Sequence, residues 1–491
     1  MALANRTINP IWIQALAVIA VGAMLGLVPL FIGKVDVGLV PIVLAAFTLP
    51  FVALIFGNLE KLLLAAILLE MPIRIDKSFF YIDRAEDVAA IGGLYVSLTT
   101  ICLAGLYALW ISRSLGQRTK ADLKEPFVSG VRPAMVLYVA ISLLSILVAR
   151  DKLIALFSAN LLFQAFLVMV YIAFNMRTRK DIEFLLLVLA FSACLQALIM
   201  LFLVATKSSF KIGTIYARVD YTYGMRVAGT IGSPNNTSHY FTSLLAPLLG
   251  LMLSRAKRWY KPLIAIVFVL GIVALVVTFS RGGWLGFAIS MMVLIFIGWR
   301  MGLLPIQVII FVGFVFVLVF FSFQDLLMAR LIGNDSISQN AVEGRIPLLA
   351  LAVEMIRDHP FRGVGLNNFW IVWDPYLDTD YSGIWLHIVH NKFLLVWAET
   401  GIAGIVAFFA FLGTSLFQCW RIIKSGDEVF APIALGFMGA MFGRMAHMNF
   451  DIFNSRADVE IMWVSVGIIA AMFAIIRREE LAKKKNLEYY V

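Results

Sequence analysis

Long apolar runs separated by short polar breaks make up almost the whole chain, and a single break, at 323–392, is far longer than the others. A window of about 19–20 residues, the length of an apolar helix that crosses a bilayer, marks spans at 12–32, 38–58, 88–111, 132–149, 155–175, 183–205, 237–254, 262–280, 283–299, 304–322, 393–418, 430–449 and 458–476. A shorter run at 62–72 adds one more. Basic residues test the alternation. Arg113, Arg118, Lys120 and Lys124 mark one break, Arg177, Arg179 and Lys180 a second, and Arg255, Lys257, Arg258 and Lys261 a third. Arg421 and Lys424 mark a fourth, and Arg477, Arg478 and Lys483 to Lys485 the tail. All fall on one side if the spans alternate as given, and the short span brings Arg6 and Lys61 there too. The pattern therefore predicts an all-α polytopic transmembrane bundle of about fourteen spans, one integral membrane domain over 1–491. Both termini are expected in the cytoplasm, with a basic cytoplasmic tail at 477–491.

On that alternation the loop 206–236, the turn 280–283, the loop 323–392 and the segment 449–456 all face outward. Loops beyond about 12–15 residues are seldom mere connections. The one at 323–392 is rich in Trp, Tyr, Phe and Leu and holds His359, His387 and His390, three of the five histidines. It reads as a folded extracytoplasmic lid or half-site.

Composition agrees: 62% of residues are hydrophobic and 14% charged, outside globular usage. The net charge of +10 sits in short loops, which signals topology rather than a nucleic-acid face. The first apolar run, 11–33, is long enough to span, and no cleavage site marks it as a signal peptide. Cys102, Cys194 and Cys419 are far apart in apolar runs, with neither disulfide nor metal spacing. P-loop, dinucleotide-binding and GxSxG patterns are all missing from the sequence. Asp378 to Asp380 form a D-T-D similar to the metal-binding pair of nucleotide-sugar transferases, but a three-residue pattern has little specificity.

The outward side is rich in arginine: Arg218, Arg226, Arg281, Arg345, Arg357 and Arg362, with Arg444 near the outer end of its span. Guanidinium forks suit phosphate and diphosphate oxygens and stay charged at any relevant pH. Arg281, in FSRGGWLG at 279–286, stands at a hinge between two spans where two glycines permit a tight turn. The segment 225–241, MRVAGTIGSPNNTSHYF, reads as a loop closing over a helix start, with Asn236, Thr237 or Ser238 as N-cap and Asn235 beside it. A helix start favours an anion. His387 and His390 would share a helical face; the three-residue spacing suits zinc, but a third ligand is lacking, so no metal is expected. His390, followed by Asn391 where the chain re-enters the membrane, is the choice for a general base, with His387 as neighbour and His359 structural. Arg444 and His447, three apart, form a second polar face. Glu399 lies inside its span and is expected to make a structural pair or hydrogen bonds to a neighbouring span.

Arg226 with GTIGSPNN, the SRGG turn at 280–283, Arg345, HPFRGVGLNNF at 359–369 and HNKFLLVWAETGIAG at 390–404 occur in that order over roughly 218–405. In this the chain resembles the O-antigen ligase and polymerase family of bacterial surface-polysaccharide membrane enzymes. Residues 1–200 share only the multispanning character. The resemblance implies a metal-independent, cofactor-free glycosyltransferase of the GT-C type in the bacterial inner membrane. Its donor would be an undecaprenyl-diphosphate-linked glycan, and its acceptor a hydroxyl of another glycan or of lipid A-core at the outer face. Arg226 and Arg281 would bind the diphosphate, joined by Arg345, and His390 would activate the acceptor. A chain-length regulator protein and membrane lipid are candidate partners; nucleic acid is not. The span count leans toward a repeat-unit polymerase over a ligase. Two other readings are a lipid-linked glycan flippase, for which no inverted repeat is visible, and a shape-and-division peptidoglycan polymerase, whose carboxylate has no clear counterpart.

Overall fold

The computed structural model describes residues 58–116, 129–212, 215–221, 225–256, 258–322, 345–377 and 387–488, together with positions 324 and 328. The expected spans at 12–32 and, but for Asn58, 38–58 lie outside the described residues, as do Asp378 to Asp380 and residues 329–344 of the long loop.

The described chain is a helical bundle with two small antiparallel sheets. Helix α1 (Leu59–Ile73) leads into β1 (Asp76–Phe79), the short α2 (Asp83–Asp87) and β2 (Leu94–Ser97), then α3 (Leu98–Gly116). The expected span 88–111 is corrected here. Residues 94–97 pair with 76–79 in a hairpin, and the helix begins only at Leu98. Tyr95 and Val96 are strand formers, and Gly92 and Gly93 sit so close to Ile82, Phe79 and Ser78 that a helix with side chains does not fit there.

Next come α4 (Pro133–Leu144) with a 3-10 turn at Ser145–Leu147, α5 (Lys152–Asn175) and α6 (Arg179–Thr206). A three-stranded sheet follows: β3 (Phe210–Ile212), β4 (Ile215–Asp220) and β5 (Arg226–Gly229), in order β3-β4-β5. Then come α7 (Pro234–Leu253), α8 (Lys261–Val277), α9 (Arg281–Arg300) and α10 (Ile306–Ser322). Helix α11 (Arg345–Asp358) lies in the long loop, and α12 (Lys392–Lys424), α13 (Phe430–His447) and α14 (Arg456–Glu488) complete the chain.

Six of these helices, α3, α5, α6, α9, α12 and α14, are long and apolar enough to cross a membrane. Shorter apolar helices lie at Pro133–Leu147, Lys261–Val277 and Ile306–Ser322. This is a polytopic helical membrane protein.

Helix α7 is buried along nearly its whole length and is packed by α8, α9 and α13. Its second half, Leu244–Leu253, is apolar all round, as in the middle of a bundle, while the hydroxyls of Thr237, Ser238, Thr242 and Ser243 in its first half bond to backbone carbonyls one turn earlier. Glycines bring α13 close on two sides. Gly443 meets the backbone of Gly286 on α9, and Gly436 meets Ala246 and Pro247 on α7, so a side chain at either glycine would collide with backbone.

At one end of the bundle, charges on separate segments pair. Lys61 meets Asp181 at 2.8 Å, Arg113 meets Glu60, and Arg255 meets Glu428 at 2.6 Å. Arg179 holds both Asp427 (2.6 Å) and Glu479 (2.7 Å). The basic breaks around 113, 177–180 and 255 are thereby tied to one end by their own partners.

A second apolar core forms where the described part of the long loop folds onto α2, α5 and the start of α12. Phe369, Trp370 and Trp373 are buried there with Leu351, Met355, Phe157 and Ile388. The loop is latched to α12 at a break in that helix. Gly401 has φ 68° and ψ −172°, and Gly363 has φ 65°. Each glycine lies where a Cβ would strike the other segment's backbone. Val364 and Gly365 donate to the carbonyls of Ala398 and Glu399 (both 2.9 Å), and Ile402 donates to Pro360 (2.9 Å). The HPFRGVG run is therefore a clip into a helix kink.

Candidate active site

At the other end from those ion pairs, the turn before α9 sets the first element. Ser280 is the N-cap, its Oγ accepting from Gly283 N at 3.3 Å, and Arg281 is the first helical residue, half-buried. Phe279 ahead of it has φ 51°, so the chain reverses within two residues of α8. Among the described residues Arg281 has neither an ion pair nor a hydrogen-bonded side-chain partner.

Arg226 on β5 is fastened to this turn. Its Nε donates to the Thr278 carbonyl (3.0 Å) and its Nη2 to Asn235 Oδ1 (2.8 Å). Asn235 thus orients the guanidinium. The N-cap of α7 is Ser233, whose Oγ accepts from Asn236 N at 3.2 Å, with Pro234 next. That corrects the expected caps Asn236, Thr237 and Ser238. Pro234 has the fixed φ that suits the first helical position, so the cap falls one residue before it.

His390 approaches from the loop. Residues 387–390 are not helical, which corrects the expected shared helical face; the two imidazoles instead lie 5.7 Å apart at 76°. Asn391 caps α12, its Oδ1 accepting from Phe393 N (3.0 Å) and Leu394 N (3.1 Å). The last residue before a cap is held in place by it, and His390 is that residue. Its Nδ1 is buried without a hydrogen-bond partner. Burial pushes the His390 imidazole below its ordinary pKa; Asp451 opposes this and Arg345, at the start of α11, adds to it. His387 is pushed down to about 4, first by burial and then by His390.

His447 joins the two sides. Its ring lies against Gly282, where a Cβ would stand 2.6 Å from Cδ2 and 2.8 Å from Nε2. Asp451 and Arg345 face it as they face His390. The Gly282 contact and these shared charges thus tie Arg281, Arg345, His390 and His447 to one end of the bundle, with Arg226 fastened to the same turn and Asp451 as the carboxylate that acts on both histidines.

Arg444 lies deeper, 4% exposed, donating to Ser243 Oγ at 2.6 Å. Glu399 is also buried, its carboxylate toward the amides of Asn367 and Phe369 in the loop clip. Arg357 and Arg362 are exposed at the far end of α11 and on the clip, and Arg218 is exposed on β4, so none of them joins the group.

Sequence reasoning missed Asp451, Asp458, His239 and Lys392. His239 is hidden in an apolar helix, yet its Nδ1 is 3.0 Å from Asp458 Oδ1. An ionisable residue inside an apolar run was the available signal. Among the described residues no cluster suits a metal, and Cys102, Cys194 and Cys419 are free thiols.

The fold and this region define a helical membrane protein with arginines and histidines gathered at one end of its bundle. Residues 266–409 match the family model for O-antigen ligase, which bears out the resemblance to the O-antigen ligase and polymerase family. The match contains Arg281, Arg345, His387, His390, Asn391 and Glu399, while Arg226, Asn235, Arg444 and His447 lie outside it. Among curated proteins no match to the chain is found.

Proposed function

We propose that the chain is a glycosyltransferase that moves a glycan from an undecaprenyl-diphosphate carrier to an acceptor hydroxyl at the outer face of the bacterial inner membrane. What supports this reading is Arg281, with no carboxylate partner among the described residues, and His390, buried with an unpartnered nitrogen, both linked to His447: its ring lies against Gly282, and the charges of Asp451 and Arg345 act on it as on His390. A lipid diphosphate is an activated leaving group, and fixed cations at its oxygens replace a metal. His390, neutral, takes the acceptor hydroxyl proton. The freed oxygen attacks the anomeric carbon, the bond from that carbon to the diphosphate oxygen breaks, and the electron pair leaves with the diphosphate among Arg226, Arg281 and Arg345. The loop clipped at Gly363 and Gly401 covers the acceptor side.

This reading carries the rest of the topology with it: about fourteen spans in a GT-C-like arrangement, cytoplasmic termini with the ion-paired end inward, and the site outward. Within the class, the span count favours a repeat-unit polymerase acting on O-antigen or exopolysaccharide, with a chain-length regulator as a protein partner. The ligase reading, finished glycan to lipid A-core, is favoured by the family match over 266–409.

Supplying the purified enzyme with a defined lipid-linked repeat, with and without lipid A-core, tests both. A ladder of lengthening products without lipid A-core supports the polymerase; transfer only when lipid A-core is present supports the ligase. Wild-type enzyme that consumes no lipid-linked glycan under either condition sinks the proposal.

A further inference from the structure

His239, fully buried on α7, stacks on Phe453 with ring centres 4.0 Å apart and places Nδ1 3.0 Å from Asp458 Oδ1. Asp458 is 2% exposed; its Oδ2 accepts the Ser455 hydroxyl at 2.5 Å, and the charges of Arg444 and Lys392 face the same carboxylate. A carboxylate only accepts, so His239 donates through Nδ1 and its Nε2 is a lone pair. That Nε2 is buried with no partner. So is Nδ1 of His447, a residue 1% exposed whose ring centre lies 6.3 Å away at 67°. Two orphan nitrogens on neighbouring buried rings are costly when both lack a partner. A proton on His447 Nδ1, shared with His239 Nε2 through one intervening water, satisfies both. The other nitrogen of His447, now a lone pair, is on the ring edge that lies against Gly282, next to Arg281.

We propose that Asp458, His239 and His447 form a buried hydrogen-bond relay that fixes His447 as its Nδ1–H tautomer and presents its Nε2, beside Gly282, as the acceptor for a hydroxyl of the glycan being transferred. This rests on the lipid-diphosphate reading of the site. If Arg281 holds the diphosphate, the group nearest the neighbouring ring is the first sugar, and sugars offer hydroxyl donors where the diphosphate offers none. His447 then binds glycan, and His239 and Asp458 position it; no bond is made or broken at any of the three.

The test uses full-length enzyme in lipid nanodiscs, a defined lipid-linked repeat as donor, and nitrogen NMR of labelled histidines. His447→Phe keeps a ring without nitrogens, and His447→Gln returns an amide near the position of Nε2. His447→Phe is expected to lower kcat/KM for the lipid-linked donor on the order of 10–100-fold, with His447→Gln recovering most of it. Asp458→Asn is expected to move the ring-nitrogen signals of both His239 and His447 toward the opposite tautomer and to lower kcat/KM as His447→Phe does. Unchanged kcat/KM in His447→Phe, or an Nε2–H signal for His447 in the wild-type spectrum, overturns the relay. Wild-type enzyme that ignores the lipid-linked donor overturns the functional reading instead, and the tautomer signals still decide whether the relay exists.

Discussion

Ser280–Arg281 and Ser455–Arg456 each open a long helix at the same end of the bundle, and their arginines have opposite surroundings. In both, the serine Oγ accepts an amide of the first turn, from Gly283 at 3.3 Å and from Asp458 at 3.4 Å. Arg456 is 5% exposed and grips Glu70, with Nη1 2.6 Å from Oε2 and Nη2 on Oε1. Asp76 is 3.2 Å from its Nε and Glu460 3.5 Å from its Nη1. Arg281 is half-buried and meets no carboxylate among the described residues. A guanidinium enclosed by acids is committed to structure: it joins α14 to α1 and β1. One left without an anion is available for a ligand. The same dipeptide at the same helix position thus serves two purposes, and the difference lies in what other segments bring to it.

Removing each arginine is the direct way to break this comparison. Arg456→Ala leaves buried carboxylates uncompensated, which typically costs about 3–5 kcal/mol; the expected result is loss of folded protein in detergent, read by thermal unfolding. Arg281→Ala is expected to leave unfolding unchanged while glycan transfer falls about 10²–10³-fold, the usual loss when one charge-stabilising donor is removed. If Arg281→Ala unfolds instead, the arginine is structural and the contrast with Arg456 fails. His390→Ala should abolish transfer comparably with insertion intact, and long-chain product from that variant would remove it as the base.

A smaller effect concerns the latch between the long loop and α12. Gly401→Ala forces a side chain into positive φ and toward the Phe361 backbone, at a cost of about 1–3 kcal/mol. Limited proteolysis should then cut residues 345–377 faster while the bundle stays folded. The smallest effect is in pH. His387 has a folded pKa of about 4 against an ordinary 6.5, depressed first by burial. Its neutral form is the one the fold favours, so that stabilisation is complete above about pH 6.5 and is lost as pH falls toward about 4. His387→Gln should flatten the unfolding temperature across that window, and an unchanged slope would show that His387 is not its source.

Much of the bundle was legible because apolar length is a local property. Helices such as α5, α6 and α9 need only about twenty mostly uncharged residues to declare themselves. The span at 88–111 misled because its first part is apolar yet pairs as strand β2 with β1, a partner more than ten residues upstream. Arg281 was legible as a cation out of place, whereas nothing in the sequence singled out Arg456 or its partners. Glu70 and Asp76 reach Arg456 from α1 and β1, and no spacing in the chain announces that meeting; only Glu460, four residues on along α14, is a local partner. His239 stood out only as an ionisable residue within a span; its pairing was illegible for the same reason, since Asp458 lies 219 residues away.

By itself, then, the sequence determined a helical membrane protein, the positions of most of its apolar helices, and a set of cations and histidines set apart from the basic loops. Bilayer length and side-chain hydration act residue by residue, so a linear reading captures them. Only the tertiary structure decided which of those charges are neutralised, which histidine nitrogens are left without partners, and that His447 lies against the Arg281 turn. Those are properties of distance between remote segments, set by the close packing of α7, α9 and α13 on their glycines.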